Sequence, residues 1–114
     1  MMIDIDDATF AQAAVLAIDG VAAMHPGRYG EVALLYPNER VVGLKPLSRD
    51  GEEGLEAHVV VDVDAGRNVY DVAEAVRHAV RSATGLNVVD VTIGDVISSS
   101  QGASGPDNET KRQL

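Results

Sequence analysis

Between Gly54 and Val96 the spacing of apolar residues changes from two to about three and a half, and back to two. Leu55, Ala57, Val59, Val61 and Val63 alternate with Glu56, His58, Asp62 and Asp64, and only Val60 interrupts the polar set. A period of two predicts a strand with one apolar and one polar face, and β-branched valines suit such a surface. Ala65-Gly66-Arg67 supplies a turn. Val69, Val72, Ala73, Val76, Val80 and Ala83 then form one stripe of an amphipathic helix. Asn68 is placed to cap its start, with Asp71 in a capping-box-like position, and Gly85 to end it. Val89, Val91 and Ile93 alternate with Asp90 and Thr92 in a second strand. The segment therefore predicts a β-α-β unit with a right-handed crossover.

The preceding half is less regular. Asp7 to Val21 reads as a helix capped by Asp6 or Asp7 and stopped by Gly20, with Phe10, Ala14, Ala17, Ile18 and Val21 on its apolar face. Val21 to Met24 continues as an extended or turn segment, closed by His25-Pro26-Gly27. Val32 to Tyr36 reads as a short strand ended by Pro37-Asn38. Arg40 to Leu47 reads as another, made irregular by Gly43 and Pro46. Ser48 to Gly54 reads as a polar loop joining it to Leu55, as in a hairpin. The predicted class is α+β: a small mixed sheet with two helices on one face, in the order α-β-β-β-α-β. Residues 1–97 are expected to form a single domain. Residues 98–114, rich in Ser and Gly and without periodicity, are expected to form a disordered tail.

Composition narrows the chemistry. With 114 residues and 46% apolar content, the chain suits one globular domain. It has no cysteine, which removes disulfides, thiolate metal sites and cysteine nucleophiles. No apolar run has the roughly 18–20 residues of a membrane span, and the acidic start lacks the basic end of a signal peptide. A cytoplasmic location is expected. Eighteen acidic against nine basic residues give a net charge of −9, and Ser98–Leu114 contributes two of each sign. The body thus carries the whole excess, which disfavours phosphate backbones and anionic lipid as partners. Arg77 and Arg81 form a short positive row, interleaved with Asp71 and Glu74.

Several residue groups carry side chains capable of chemistry. His58, Asp62 and Asp64 share a strand face by parity, but a span of about 20 Å at 3.3 Å per residue keeps all three from one ion. Gly27-Arg28-Tyr29-Gly30 has the G-x-x-G form of the backbone clamp in KH-type RNA-binding domains, which lies between two helices. Here the following residues look extended. Tyr29 and Tyr36 are better read as half-buried than as base-stacking residues. Ser98, Ser99 and Ser100 lack a strained elbow or oxyanion support, His25 reads as a turn residue, and His78 as an exposed partner of Glu74. The helix-strand rhythm also occurs in small iron–sulfur assembly domains, whose function leans on the cysteine this chain lacks. No catalytic residue, metal site or cofactor site is expected.

The order and spacing of these segments are similar to those of the alkaline shock protein twenty-three / Gls-twenty-four family of Gram-positive bacteria. The resemblance rests on Ile18-Asp19-Gly20-Val21-Ala22-Ala23-Met24, on the valine strand followed by Asn68-Val69, and on Thr84-Gly85-Leu86 with Val88 to Val91. It covers roughly residues 8–97. Tyr70 stands where the family often has proline. The resemblance implies a non-enzymatic envelope-stress and homeostasis protein, held at the inner face of the membrane by a small membrane-spanning partner. Protein–protein contact is then the expected activity, with a KH-like RNA module as the alternative. The candidate interaction surface comprises Glu56, His58, Asp62, Asp64, Asp71, Glu74, Arg77 and Arg81. Self-association is a further expectation, through the strand at Arg40–Leu47 or the C-terminal strand.

Overall fold

The computed structural model of the chain describes residues 3–99. The tail expected from Ser98 lies almost wholly outside the described residues. Helix α1 spans Ile5–Leu16, strands β1 to β5 span Val21–Met24, Ala33–Tyr36, Glu39–Val42, Leu44–Arg49 and Glu52–Asp62, helix α2 spans Val69–Thr84, and β6 spans Val88–Ile97. The α+β class and the order of helix, strand block, helix and strand hold, with finer divisions inside the strand block.

Strand β5 organises the sheet. Along one side it pairs in parallel with β6, from Gly54↔Val88 to Asp62↔Ile97. Along the other it pairs antiparallel with β4 and, further on, with β1. β1 and β4 therefore lie end to end, and the sheet is three strands wide at any level. Both helices cover one face. Leu55, Ala57, Val59 and Val61 of β5 meet Val72, Val76 and Val80 of α2 and Ala8, Ala11 and Val15 of α1 in a single core. The alternation read from the sequence places these β5 residues inward, and burying each valine contributes on the order of 1.5–3 kcal/mol.

Local chemistry explains where sequence expectations shift. Val21–Met24, read as an extended or turn segment, is a sheet strand. The strand expected over Arg40–Leu47 divides at Gly43, whose N–H donates to Val32 O (2.9 Å) while its carbonyl accepts from His58 N (2.8 Å). A Cβ there would lie 2.6 Å from the Met24 side chain, and φ is +91°, so only glycine fits without displacement. Upstream of this break, β3 folds back on β2 through Pro37-Asn38, with Asn38 at φ 64°. The polar loop expected from Ser48 to Gly54 contracts to a two-residue Asp50-Gly51 turn, with both residues at positive φ. Asp-Gly is a favoured pair for that hairpin geometry.

Helix α1 differs in its ends and in its buried face. Asp6 and Asp7 lie in its first turn, where acidic side chains complement the helix dipole, instead of capping it. Its buried stripe is Ala8, Ala11 and Val15, whereas Phe10 is 64% exposed. Small side chains let α1 approach its neighbours closely, and the larger Phe10 faces outward. For α2 the expected caps are present: Asn68 Oδ1 accepts from Tyr70 N (2.7 Å), and Gly85 ends the helix at φ 74°.

Candidate functional site

The sheet face opposite the helices carries polar side chains and no covering element among the described residues. Glu56, His58 and Asp62 of β5 lie on it by strand parity, flanked by Lys45 of β4 and by Asp90 and Thr92 of β6. His58 Nε2 lies 2.7 Å from Glu56 Oε1, and Lys45 Nζ lies 3.8 Å from the same oxygen. Arg49 crosses Gly54 to pair with Asp90, which bridges β4 to β6 over the central strand. That bond raises the Arg49 pKa. His25 crosses from the end of β1: its N–H donates to His58 O (2.8 Å), and its ring lies against Gly94 of β6. A Cβ on Gly94 would meet that ring at 2.6 Å. These exposed pairs order the face more than they stabilise it.

The residues anticipated as one surface fall into two layers. Glu56, His58 and Asp62 belong to the uncovered sheet face, whereas Asp71, Glu74, Arg77 and Arg81 lie on α2, across the sheet. Asp64 leaves the strand, because β5 ends at Asp62 and Val63–Ala65 form a 3-10 turn. Asp62 Oδ1 accepts from Asp64 N (2.9 Å) and from Ser99 N (3.3 Å). Hydrogen bonds from the Asp64 backbone, and then from Ser99, lower the Asp62 pKa. Among the described residues no three His, Asp or Glu side chains gather to hold a metal ion. Glu74 pairs with Arg77 (2.5 Å), and not with His78 as anticipated. Arg77 Nε also donates to Val89 O (3.2 Å), a contact across elements that helix spacing alone does not reveal.

The Gly27–Gly30 turn joins β1 to β2 and so lies between strands, not helices. Glu31 folds back into it, with Oε1 accepting from Tyr29 N (2.9 Å) and the carboxylate 2.6 Å from the position of a Gly27 Cβ. Hydrogen bonds from its own backbone and from that of Tyr29 lower the Glu31 pKa, with smaller contributions from Lys45 and His58. A phosphate approaching these amides would meet a carboxylate already there. Tyr29 is 86% exposed, contrary to the half-buried reading. Tyr36 is half-buried, and its hydroxyl donates to Ile3 O (3.0 Å). It borders an apolar groove of about 630 Å³, lined by Ile3, Ala33–Pro37 and Pro46.

A second surface is apolar. Val63, Val69, Val96 and Ile97 are all at least 36% exposed. They follow the end of β5, open α2 and close β6, so the crossover brings them to one end of the β-α-β unit, with Val96 on the helix side of the sheet and Ile97 on the uncovered side. Asp62, Asp64, Asp71 and Asp95 stand beside them in sequence. The sequence reading of strand faces did not single out this group, because it comes together only where three element ends meet.

No protein-family model matches the chain, no curated protein matches it, and no solved structure matches it. No described helix is long and apolar enough to cross a membrane.

Proposed function

We propose that this chain is a non-catalytic protein-interaction module that works in envelope homeostasis through a membrane-spanning partner. The observation that carries the reading is the exposed apolar set Val63, Val69, Val96 and Ile97, fringed by aspartates. Exposed apolar side chains gathered at one end of a fold and flanked by polar residues are a feature of interaction sites. The acidic rim selects the partner's chemistry. Segments next to the cytoplasmic end of a membrane span carry an excess of Lys and Arg. Such a segment offers apolar side chains to the patch and cations to the rim. Anionic lipid offers no such excess of cations, and the net charge of −9 opposes direct adsorption. The envelope role itself rests on the alkaline shock resemblance.

Affinity capture from native cells tests this. The unaltered chain is expected to retain a membrane-spanning protein, and the double variant Val63→Asp, Ile97→Asp is expected to lose it. Sedimentation of the purified chain with anionic vesicles at physiological salt, without any partner, would overturn the reading.

A further inference from the structure

The free edge of β6 points to a second copy of this chain. Its register follows from the hydrogen bonds of β5. His58 commits both its backbone groups to the β1/β4 side, donating to Gly43 O and accepting from His25 N, and Asp62 N turns the same way toward Gly20 O. Leu55, Ala57, Val59 and Val61 therefore turn theirs toward β6. In a parallel ladder each bonds to the neighbours of its partner, and Ala57 pairs with Val91. Asp90 and Thr92 thus face β5, while Val89, Val91 and Ile93 present their N–H and C=O groups outward. Two contacts agree with this assignment. Val89 O accepts from Arg77, and past the irregularity at Gly94, Val96 N donates to Asp95 Oδ1 (2.8 Å).

Those two side chains bracket the edge. Between them the outward groups of Val91 and Ile93 have no hydrogen-bond partner among the described residues. An open strand edge is a template for pairing. The opposite side of the sheet is less suited, because β4 contains Pro46, β1 is irregular, and the β2–β3 hairpin lies beside β4.

We propose that two copies pair antiparallel through β6 about a two-fold axis at Thr92. This register lets each Val91 exchange both backbone hydrogen bonds with Ile93 of the second copy. Centring on Val91 would displace Arg77 from Val89, and centring on Ile93 would set Val91 against Asp95, whose backbone faces β5. The side chains fit as well. Val91 and Ile93, both half-buried toward the helix layer, meet as apolar cross-strand pairs. Asp90 falls opposite Gly94, so no acidic residue opposes another at the centre. Exposed Thr92 faces Thr92 of the second copy on the uncovered sheet face. Helix α2 runs antiparallel to β6, and Arg77 lies beside Val89. Three strand residues, about 10 Å, correspond to about seven helical residues. Counting back from Arg77 reaches Tyr70, which shares that helix face and is 83% exposed. The axis thus passes near an exposed tyrosine from each copy. The contact does not depend on the recruitment proposed above.

Sedimentation equilibrium of the full chain is expected to reveal a reversible dimer of twice 12.0 kDa. Each copy carries −9, so added salt should strengthen it. Thr92→Asp and Thr92→Lys should each weaken it about fivefold or more, and an equimolar mixture of the two should restore it. Because the chain has no cysteine, Thr92→Cys is a single-thiol probe. Facing residues about 4.5 Å apart can form a disulfide. Oxidation should therefore link Thr92→Cys into a covalent dimer, and should not link Ser48→Cys on the opposite side of the sheet. Three results would each overturn the proposal: a monomer up to about 1 mM, a dimer indifferent to both charged variants, or cross-linking through Ser48→Cys alone.

Discussion

Gly54 is glycine for want of space, and Gly54→Ala tests the three-strand junction directly. The residue pairs with Leu47 of β4 and with Val88 of β6. An added Cβ would sit 2.1 Å from Val88 O, and 2.7 and 2.8 Å from Val88 Cβ and Cγ1. The closest obstacle is backbone, so no rotamer change relieves it. The first residues of β6 must move outward by about 1.4 Å to restore van der Waals contact at roughly 3.5 Å. That shift loosens Val89, which is only 4% exposed, and the Arg49–Asp90 bridge above it. Overpacking costs about 1–3 kcal/mol, and an obstacle in the main chain puts this case near 3 kcal/mol. Gly51→Ala is the matched control. Its site has nothing within 4 Å but a φ of +83°, so backbone strain alone applies, at about 1 kcal/mol.

Urea unfolding of the three proteins, followed by circular dichroism, separates the two costs. Out of a total stability of about 5–15 kcal/mol, 3 kcal/mol shifts the midpoint substantially while leaving the slope unchanged. If Gly54→Ala cost no more than Gly51→Ala, the close approach of β5 and β6 at this pair would be wrong, and with it the parallel register.

Three further outcomes are expected. Phe10→Ser should change stability by less than about 0.5 kcal/mol because Phe10 is exposed, whereas Val15→Ala, at a fully buried position, should cost about 2 kcal/mol in the same urea assay. The Glu31 pKa is lowered, so its contribution is present above the ordinary value of 4.5 and is lost as pH falls through the lower folded value; Glu31→Gln should flatten the acid limb of melting temperature against pH. Burial, and then Asp4 and Asp7, raises the Tyr36 pKa, so its contribution is present below the ordinary 10.0 and is lost as pH rises through the higher folded value. Tyr36→Phe should remove that alkaline loss from the melting curve, along with the hydrogen bond to Ile3.

The parts legible in the sequence are those set by neighbours in the chain. The β5 alternation from Leu55 to Asp62, the α2 stripe from Val72 onward and the caps at Asn68 and Gly85 depend on residues a few positions apart and stand as read, whereas Val63 and Val69, read as inward, are exposed at the crossover. Helix α1 was ambiguous because alanine is spread around it. Both Phe10 with Ala14 and Ala8 with Ala11 and Val15 make an acceptable stripe, and only packing against α2 and the sheet selects the second. Gly43 was legible as an interruption, but not as the point where one strand becomes two in different sheets. That outcome depends on His58, fifteen residues on, taking the Gly43 carbonyl.

The division of the candidate interaction residues between two layers was not legible for a related reason. Alternation assigns a residue to a face of its own element, and the crossover then places α2 across the sheet from the polar side of β5. Charged residues close in sequence are thereby divided between two layers. Apolar residues far apart, Val63 and Ile97 among them, come together at the end of the unit. Edges are harder still, because an edge is defined by what does not pair with it. The C-terminal strand could be named as a candidate edge from the sequence, but nothing in it marks which of its two sides is open. That side becomes identifiable only when the hydrogen bonds of His58 fix which way β5 turns, and through the parallel register fix β6 as well. Arg77 and Asp95 then acquire a meaning that spacing could not give them: they close the edge at Val89 and Val96, and leave Val91 and Ile93 as its open centre.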